Sequence, residues 1–419
     1  MHDLYDSDLA ICIIRIPTHI KMNILQKILN SGQKIIIDGG TGTELAKLGA
    51  DTSDSGNWVS LSHMTNPELI TKIHQNFVHA GADVIIANTY ATNKLTFRAD
   101  LPKVNEILEN HLNITNQDDI ITEGVKIAKN AVKNMISKKG NKVLVAASIS
   151  AHSPGCHRDK ITGKWVGDWP EDLDEFLRLY TETVEALLKG EPDLLFIEMS
   201  RGVNPACDLI SRAIGQVYER KQKEMMNTEQ NLPPVFIGFS TRLTYKTLSV
   251  LNNKNEKILT QQECESLSSL PMRYIEQTKN LTNENLCYFG DMGDSGEHFK
   301  SFTAEEIKRH FDLLGFIPAG INIMHTKPEA IFESLKVVDE VRKSLEKNGK
   351  SNLMVGIYQD NQEFVNPRSI FYQVDKAVLK KYIDDWAEFG FDLIGGCCGT
   401  DCEFLEILQK ILESSSVLH

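Results

Sequence analysis

Residues 393–400 read Leu-Ile-Gly-Gly-Cys-Cys-Gly-Thr: a short apolar run, two glycines, two adjacent cysteines and a Gly-Thr pair. This pattern is typical of a buried strand that opens into a tight loop, and the loop would hold the thiols of Cys397 and Cys398 together. The chain has eight cysteines in 419 residues, so an adjacent pair points to a specific role. Thiolates are good zinc ligands, which favours a zinc site. Two inert buried cysteines and a vicinal disulfide are the alternatives.

Seven more apolar runs occur along the chain, separated by stretches with a helical period. The strand-like runs are near-continuous rather than alternating, as expected for parallel strands that are covered on both faces. Eight strand–helix units predict the α/β class and a (β/α)8 TIM barrel, with an open doubly wound sheet as the alternative. The predicted strands are 34–38, 84–88, 143–148, 194–198, 235–239, 319–323, 354–358 and 393–396.

Amphipathic segments fill the gaps between these strands. Several begin with helix-start chemistry, such as Thr303 before Ala-Glu-Glu. Residues 241–302 are too many for one strand–helix connection, so we expect an irregular insertion there, over the mouth of the barrel. The predicted helices are 67–80, 121–137, 172–189, 204–221, 304–314, 328–346, 375–389 and 402–412.

We expect a single barrel domain over residues 22–415 and a dispensable N-terminal extension over residues 1–21. The extension lacks the basic segment of a signal peptide, and no apolar run is long enough to span a membrane. The formal net charge of -12 argues against nucleic acid and anionic membranes as partners. The other cysteines have no framework spacing, which fits reduced thiols and a cytoplasmic location. A homo-oligomer is compatible with the sequence.

In a TIM barrel, the carboxyl ends of the strands build the active site. Carboxylates at two of these ends, Asp38 and Glu198, together suit the ammonium group of an amino acid; a helix N-cap or a satisfied ion pair is the alternative for each. The glycines after Asp38 allow the backbone to approach a small ligand closely. The polar residues at the predicted strand ends are Asp38-Gly39-Gly40, Asn88-Thr89-Tyr90, Glu198, Asn322 and the cysteine pair.

Four of these segments, in order and spacing, resemble the homocysteine S-methyltransferase family, which includes the betaine– and S-methylmethionine–homocysteine methyltransferases. The segments are Asp38–Leu45 (DGGTGTEL), Asn88–Tyr90, Glu198 and Gly395–Thr400 (GGCCGT), and the resemblance covers about residues 23 to 415. It implies a (β/α)8 barrel, a thiolate-bound zinc, and an enzyme that moves a methyl group from a small sulfonium or quaternary ammonium donor. The implied acceptor is the thiol of homocysteine, and the product is methionine.

The resemblance also implies roles for individual residues. Cys397 and Cys398 are expected to be zinc ligands and thereby catalytic, because bound zinc deprotonates a coordinating thiol. Asp38 and Glu198 are expected to anchor the amino group of homocysteine. The remaining expected substrate-binding residues are Gly39, Gly40, Asn88, Thr89 and Asn322.

The sixth strand departs from the family pattern. The family has Gly-x-Asn-Cys there, and that cysteine is its third zinc ligand, whereas this chain has Ile323 after Asn322. Isoleucine cannot bind a metal, so His325, two residues further on, is a candidate to replace the cysteine, with an ordinary loop histidine as the alternative. Two alternatives follow from the same departure: a zinc-free, degenerate relative that binds an amino acid or thiol, and a methyltransferase with a different thiol or selenol acceptor.

Aromatic residues near the strand ends are candidates for the methyl-donor site. Trp165 and Trp169 follow the third strand, and Tyr90 and Tyr358 lie near other strand ends. An aromatic face can hold a methylated cation through a cation–π contact. The alternative is that these side chains only pack the loops onto the barrel.

Overall fold

The computed structural model describes thirteen strands and thirteen helices. The described residues are 19–49, 59–99, 101–150, 157–158, 165–166, 173–200, 205–225, 231–243, 286–288, 302–347, 349, 353–365, 368–371 and 375–414. The strands are β1 (Ile35–Ile36), β2 (Val84–Ile86), β3 (Leu144–Ser150), β4 (His157–Arg158), β5 (Trp165–Val166), β6 (Leu194–Ser200), β7 (Val235–Leu243), β8 (Leu286–Tyr288), β9 (Gly320–Thr326), β10 (Met354–Gln359), β11 (Gln362–Val365), β12 (Arg368–Phe371) and β13 (Leu393–Gly396). The helices are α1 (His19–Asn30), α2 (Thr41–Lys47), α3 (Ser62–Thr65), α4 (Pro67–Ala80), α5 (Lys94–Ala99), α6 (Leu101–Asn110), α7 (Gln117–Val132), α8 (Leu173–Lys189), α9 (Pro205–Met225), α10 (Ala304–Leu314), α11 (Pro328–Lys347), α12 (Lys376–Ala387) and α13 (Cys402–Ser414).

Eight of the strands are parallel and form one barrel. Their order is β1-β13-β10-β9-β7-β6-β3-β2. A parallel bridge between Ile37 and Val84 brings β2 back to β1, and the Asp38 amide donates to the Val84 carbonyl at 3.0 Å. The predicted (β/α)8 barrel is therefore confirmed, since an open sheet would leave β1 and β2 unpaired at opposite edges.

The eight predicted strand regions coincide with the eight barrel strands, and the predicted helices 67–80 and 304–314 are α4 and α10. Helix ends differ elsewhere by a few residues, and at the start of α7 a capping residue sets the difference. Asn116 accepts a hydrogen bond from the Asp119 amide, so α7 begins at Gln117 rather than 121. The predicted insertion, 241–302, lies outside the described residues apart from 241–243, β8 and Phe302, and most of the predicted N-terminal extension lies outside them too.

Side chains on the barrel strands alternate between two apolar cores. Phe196, Phe236 and Tyr358 point into the barrel, while Ile323 and Ile357 pack in the layer between the strands and the surrounding helices. Both faces of each strand are thus buried, which explains why the strand sequences are apolar without alternation.

Three aspartates connect neighbouring strands at the amino-terminal rim of the barrel. Each comes directly before a strand and accepts a hydrogen bond from a backbone amide of the adjacent strand. Two of them also form ion pairs, Asp83 with Lys139 and Asp193 with Lys129. The three bonds are Ile36 N–H to Asp83 Oδ2 at 2.9 Å, Val145 N–H to Asp193 Oδ2 at 3.0 Å and Val355 N–H to Asp392 Oδ2 at 2.8 Å.

Replacing one of these aspartates is expected to weaken the whole barrel. Asp193→Ala leaves the buried Val145 amide without its acceptor and Lys129 without its ion-pair partner, a loss of about 1–3 kcal/mol in the free energy of unfolding. Urea unfolding followed by circular dichroism measures it. Asp384→Ala, which removes a half-exposed helical ion pair with Lys380, is the control and should lower stability far less. Equal losses in both variants would contradict a special role for the rim aspartates.

Candidate active site

The carboxyl of Asp38 lies fully buried just after β1. Its Oδ2 accepts a hydrogen bond from the Ile86 amide at 2.9 Å, and its Oδ1 has no partner among the described residues. Burial raises the pKa of Asp38 well above its ordinary value, and the nearby charge of Glu198 raises it further. A second buried carboxyl close to Asp38 creates a site that favours a cation.

Glu198 lies on β6 and is 5% exposed. Burial raises the pKa of its carboxyl to about 7, against opposing hydrogen bonds from Tyr358 and Ser148 and the charge of His325. The Tyr358 hydroxyl donates to Glu198 Oε1 at 3.2 Å. An ammonium group placed between Asp38 and Glu198 would relieve the cost of burying both negative charges.

Two β-bulges reshape the strands at this end of the barrel. The pairing of β6 with β7 slips between Ile197 and Ser200, and Met199 in the slip has a φ of 59°. The pairing of β9 with β10 slips by one residue at His325, which has a φ of 44°. A bulge redirects side chains, and a positive φ at a non-glycine residue is uncommon outside turns and functional sites.

The bulge at His325 brings its imidazole to the cysteine pair. His325 Nδ1 lies 3.7 Å from Cys397 Sγ, and the two sulfurs lie 4.0 Å apart. The three ligand atoms all lie within 4.8 Å of one another. Tetrahedral coordination with zinc–sulfur bonds of about 2.3 Å and a zinc–nitrogen bond of about 2.0 Å needs separations of about 3.8 Å between sulfurs and about 3.5 Å between sulfur and nitrogen. The two separations of 3.7 and 4.0 Å come close to these values, so the cluster could hold a zinc ion through three protein ligands.

Ile323, which stands where the family has its third cysteine, points away from this cluster. It is fully buried in the layer between the barrel and the helices, level with Ile357 and Ile394 on the neighbouring strands. The bulge, rather than the regular strand, is what brings the side chain of His325 to the cysteines.

The residues after β10 connect the histidine to the cysteine loop. The amide of the buried Asp360 donates to the Thr326 carbonyl at 3.0 Å, and the Asn361 amide donates to the Cys398 carbonyl at 2.8 Å. Asp360 Oδ2 also lies 3.8 Å from His325 Nδ1. These bonds fix the relative positions of the strand ends that carry the cluster. No sequence pattern singled out Asp360, because its role depends on the slip in β9.

The glycines after Asp38 have a structural role. A Cβ at Gly40 would lie 2.6 Å from the Cys397 carbonyl oxygen, and one at Gly39 would lie 2.9 Å from the Thr400 carbonyl oxygen. The Gly40 amide donates to the Thr400 carbonyl at 3.0 Å. These glycines therefore let the cysteine loop pack against the loop after β1, and their predicted contact with substrate stays a prediction.

The other predicted substrate-binding residues, Asn88, Thr89 and Asn322, lie in different surroundings. Asn88 Nδ2 donates to the Val59 carbonyl at 2.9 Å, and Thr89 Oγ1 donates to the Ser148 carbonyl at 2.8 Å, so both have protein partners. Asn322 is fully buried and, by its register with Gly356 and Leu393, points into the barrel. Its amide lies beside the Tyr358 hydroxyl.

Tyr358 is one of the aromatic residues predicted for a methyl-donor site, but it does not lie at the surface of the barrel mouth. It is 1% exposed, its ring stacks on Phe196 with centroids 6.5 Å apart, and its hydroxyl contacts Glu198. Its face is thus part of the barrel core rather than the surface of the mouth. Trp169 and the side chain of Trp165 lie outside the described part of the chain.

Comparison with known families identifies the chain. A family model described as Homocysteine S-methyltransferase matches residues 35–254 and 286–412. The chain belongs to the homocysteine S-methyltransferase family. The resemblance inferred from the sequence motifs is thereby confirmed.

Individual relatives agree with this family. Homocysteine S-methyltransferase 1 of Zea mays is 23% identical over 410 residues, which cover 94% of this chain and 98% of the maize protein. Homocysteine S-methyltransferase of Escherichia coli is 26% identical over 178 residues, 42% of this chain and 53% of that protein. The structure of homocysteine methyltransferase MmuM from E. coli, in its metallated form, superposes with a TM-score of 0.54 at 18% identity and covers 93% of this chain and 99% of that one. At this identity the structural likeness bears on the fold alone.

No helix within the described ranges combines the length and the apolar character needed to cross a membrane.

Because the carboxyl of Glu198 is buried, we expect the free energy of unfolding of the substrate-free protein to fall as the pH rises. Between its ordinary pKa of 4.5 and its folded value of about 7, the unfolded chain releases a proton that the folded protein keeps. Wild-type stability relative to Glu198→Gln should therefore fall by about 3 kcal/mol as pH rises from 4.5 to 7, and then level off.

Urea unfolding of both proteins between pH 4.5 and 8 measures this difference. Glu388→Gln, at an exposed position on the surface, is the matched control. A difference between wild type and Glu198→Gln that does not change with pH would contradict the raised pKa.

Proposed function

We propose that this protein is a homocysteine S-methyltransferase that moves a methyl group from a small sulfonium or quaternary ammonium donor to the thiol of homocysteine and produces methionine. One observation carries the proposal: two buried carboxyls and a cluster of two thiols and an imidazole meet at the carboxyl end of the same barrel. Family membership supports the same reaction. An acceptor with an ammonium group at one end and a thiol at the other matches both the pair of carboxyls and the cluster of thiols and imidazole.

In this proposal Cys397, Cys398 and His325 hold a zinc ion, and the separations of their ligand atoms support that role. When bound, the zinc keeps the homocysteine thiol, whose ordinary pKa is about 8.5, as a thiolate at neutral pH. The protein then needs no side chain to act as a general base toward the thiol.

Asp38 and Glu198 bind and orient the acceptor. Their carboxylates receive the ammonium group, which fixes one end of homocysteine while its sulfur faces the cluster. Binding both ends aligns the sulfur with the methyl carbon of the donor, and alignment of this kind is a large part of catalysis in bimolecular reactions. A sulfur–carbon bond forms as the methyl–donor bond breaks, and the bonding electron pair leaves with the donor, which loses its positive charge.

The zinc-free alternative has less support than the enzyme, because His325 lies where a third ligand is needed. No observation favours a different thiol or selenol acceptor. The extent of the barrel domain, 22–415, the dispensable extension, 1–21, a cytoplasmic location and a homo-oligomer stay predictions.

The purified protein is expected to contain near-stoichiometric zinc and to form methionine from homocysteine with S-methylmethionine or betaine as donor. Cys397→Ala and His325→Ala each remove a ligand, so both should lose most of the zinc and the activity. Cys402→Ala, which removes a partly exposed free thiol outside the cluster, is the control and should retain both.

Elemental analysis and a methionine assay on the same samples provide the measurement. Undiminished zinc in His325→Ala would reject the histidine as a ligand. Metal-free wild-type protein that still methylates homocysteine would reject the zinc mechanism.

A cysteine at position 323 is not expected to rescue the loss of His325. In His325→Ala, adding Ile323→Cys restores the family residue, but position 323 faces the helix layer and not the cluster. The double variant should therefore bind no more zinc than His325→Ala. Recovery of zinc would mean that the end of β9 changes its register readily, and it would contradict the bulge as the fixed feature of the site.

A further inference from the structure

We propose that Tyr358 is a positioning residue for the acceptor site, and that its hydroxyl holds one oxygen of Glu198 so that the other faces the ammonium group of the acceptor. This inference rests on the proposed function, because it takes Glu198 to be an anchor of that ammonium group. Neither the sequence motifs nor the family match gives Tyr358 this role.

Tyr358 reaches across the inside of the barrel to make this contact. It lies on β10, whereas Glu198 lies on β6, and β9 and β7 stand between them in the barrel. Its hydroxyl is nevertheless 3.2 Å from Glu198 Oε1 and 3.3 Å from Met324 Sδ. A side chain that crosses two strands to reach a carboxyl is well placed to restrain it.

Gly238 on β7 leaves the space for this crossing. A Cβ at that position would lie 2.8 Å from Met324 Sδ and 3.1 Å from the Tyr358 hydroxyl. Both distances are shorter than normal contacts, so a side chain there would press against the Met324 sulfur and the Tyr358 hydroxyl. The intervening strand is therefore shaped to let Tyr358 pass.

Met324 connects the hydroxyl to the bulge that carries Glu198. The Met199 amide, next to Glu198, donates to Met324 Sδ at 3.1 Å. Tyr358 and Met324 thus contact two successive residues of β6, one through its carboxyl and one through its backbone. Together they fix the carboxyl and the strained backbone beside it.

The chemistry of these groups decides where the tyrosine proton goes. A tyrosine hydroxyl has one proton to donate, and a carboxylate accepts it more strongly than a thioether does. The hydroxyl proton therefore goes to Oε1 of Glu198. Ser148 also hydrogen-bonds this carboxyl, and in the proposal the ammonium group meets Oε2. Asp38 Oδ1, which has no partner among the described residues, offers a second acceptor to the same ammonium group.

The test compares two acceptors that differ only in the amino group. Binding of L-homocysteine and of 4-mercaptobutanoate, which has the same thiol and carboxylate, is measured by calorimetry on zinc-loaded wild type and Tyr358→Phe. The variant is expected to bind L-homocysteine about tenfold to a hundredfold more weakly, as for a lost hydrogen bond to a charged group. It should bind 4-mercaptobutanoate as wild type does and retain its zinc.

The control variant is Tyr218→Phe, which removes another buried tyrosine hydrogen bond, to the Pro233 carbonyl at 2.7 Å, outside the site. It should bind both compounds as wild type does. Equal weakening of both compounds by Tyr358→Phe, or no weakening of L-homocysteine, would overturn the inference. Wild-type protein that prefers neither compound would instead show that Glu198 is no ammonium anchor, which is a failure of the proposed function.

Discussion

The contact between β13 and β1 is the constraint on which the barrel and its site both depend. A Cβ at Gly395 would lie 2.5 Å from the Ile37 carbonyl oxygen, so the two backbones approach this closely only because residue 395 has no side chain. One residue further along each strand, the Gly396 amide donates to the Asp38 carbonyl at 3.1 Å. The contact thus closes the barrel and at the same time sets the cysteine loop beside the carboxyl of Asp38.

Two local departures from regular strand geometry then convert a closed barrel into a reactive site. The bulge at His325 replaces an outward-facing position with one that reaches the cysteines, and the bulge at Met199 turns the end of β6 beside Glu198. Backbone strain of this kind persists only where the surrounding structure holds it, and here Asp360 and Met324 supply hydrogen bonds next to the two bulges. The chain thereby retains three groups suited to a metal although the usual cysteine position holds isoleucine.

The sequence predicted the barrel well because its strands are buried on both faces and therefore appear as continuous apolar runs. It also singled out the cysteine pair, Asp38, Glu198 and His325, since each stands at or just after the carboxyl end of a predicted strand, where a TIM barrel builds its active site. It could not predict the bulge in β9, because one extra residue in a strand does not change the composition of that strand in a recognisable way. The contact between Tyr358 and Glu198 was equally hidden, since it joins strands that are not neighbours. Asn88 and Thr89 matched a motif, yet their polar atoms bond to the protein itself.

The rim aspartates and the β1–β13 contact also differ in how far apart along the chain their partners lie. The aspartates join residues 47, 48 and 37 positions apart, all on consecutive barrel strands, whereas Gly40 and Thr400 are 360 positions apart. Short loops close at a lower entropic cost than long ones, so contacts between consecutive strands are expected to form first during folding. The site straddles the β1–β13 contact, so in this order its two halves come together only when β13 meets β1. A nascent or partly folded chain would therefore carry its cysteines and its carboxyls apart, unable to act on a substrate before the barrel is complete.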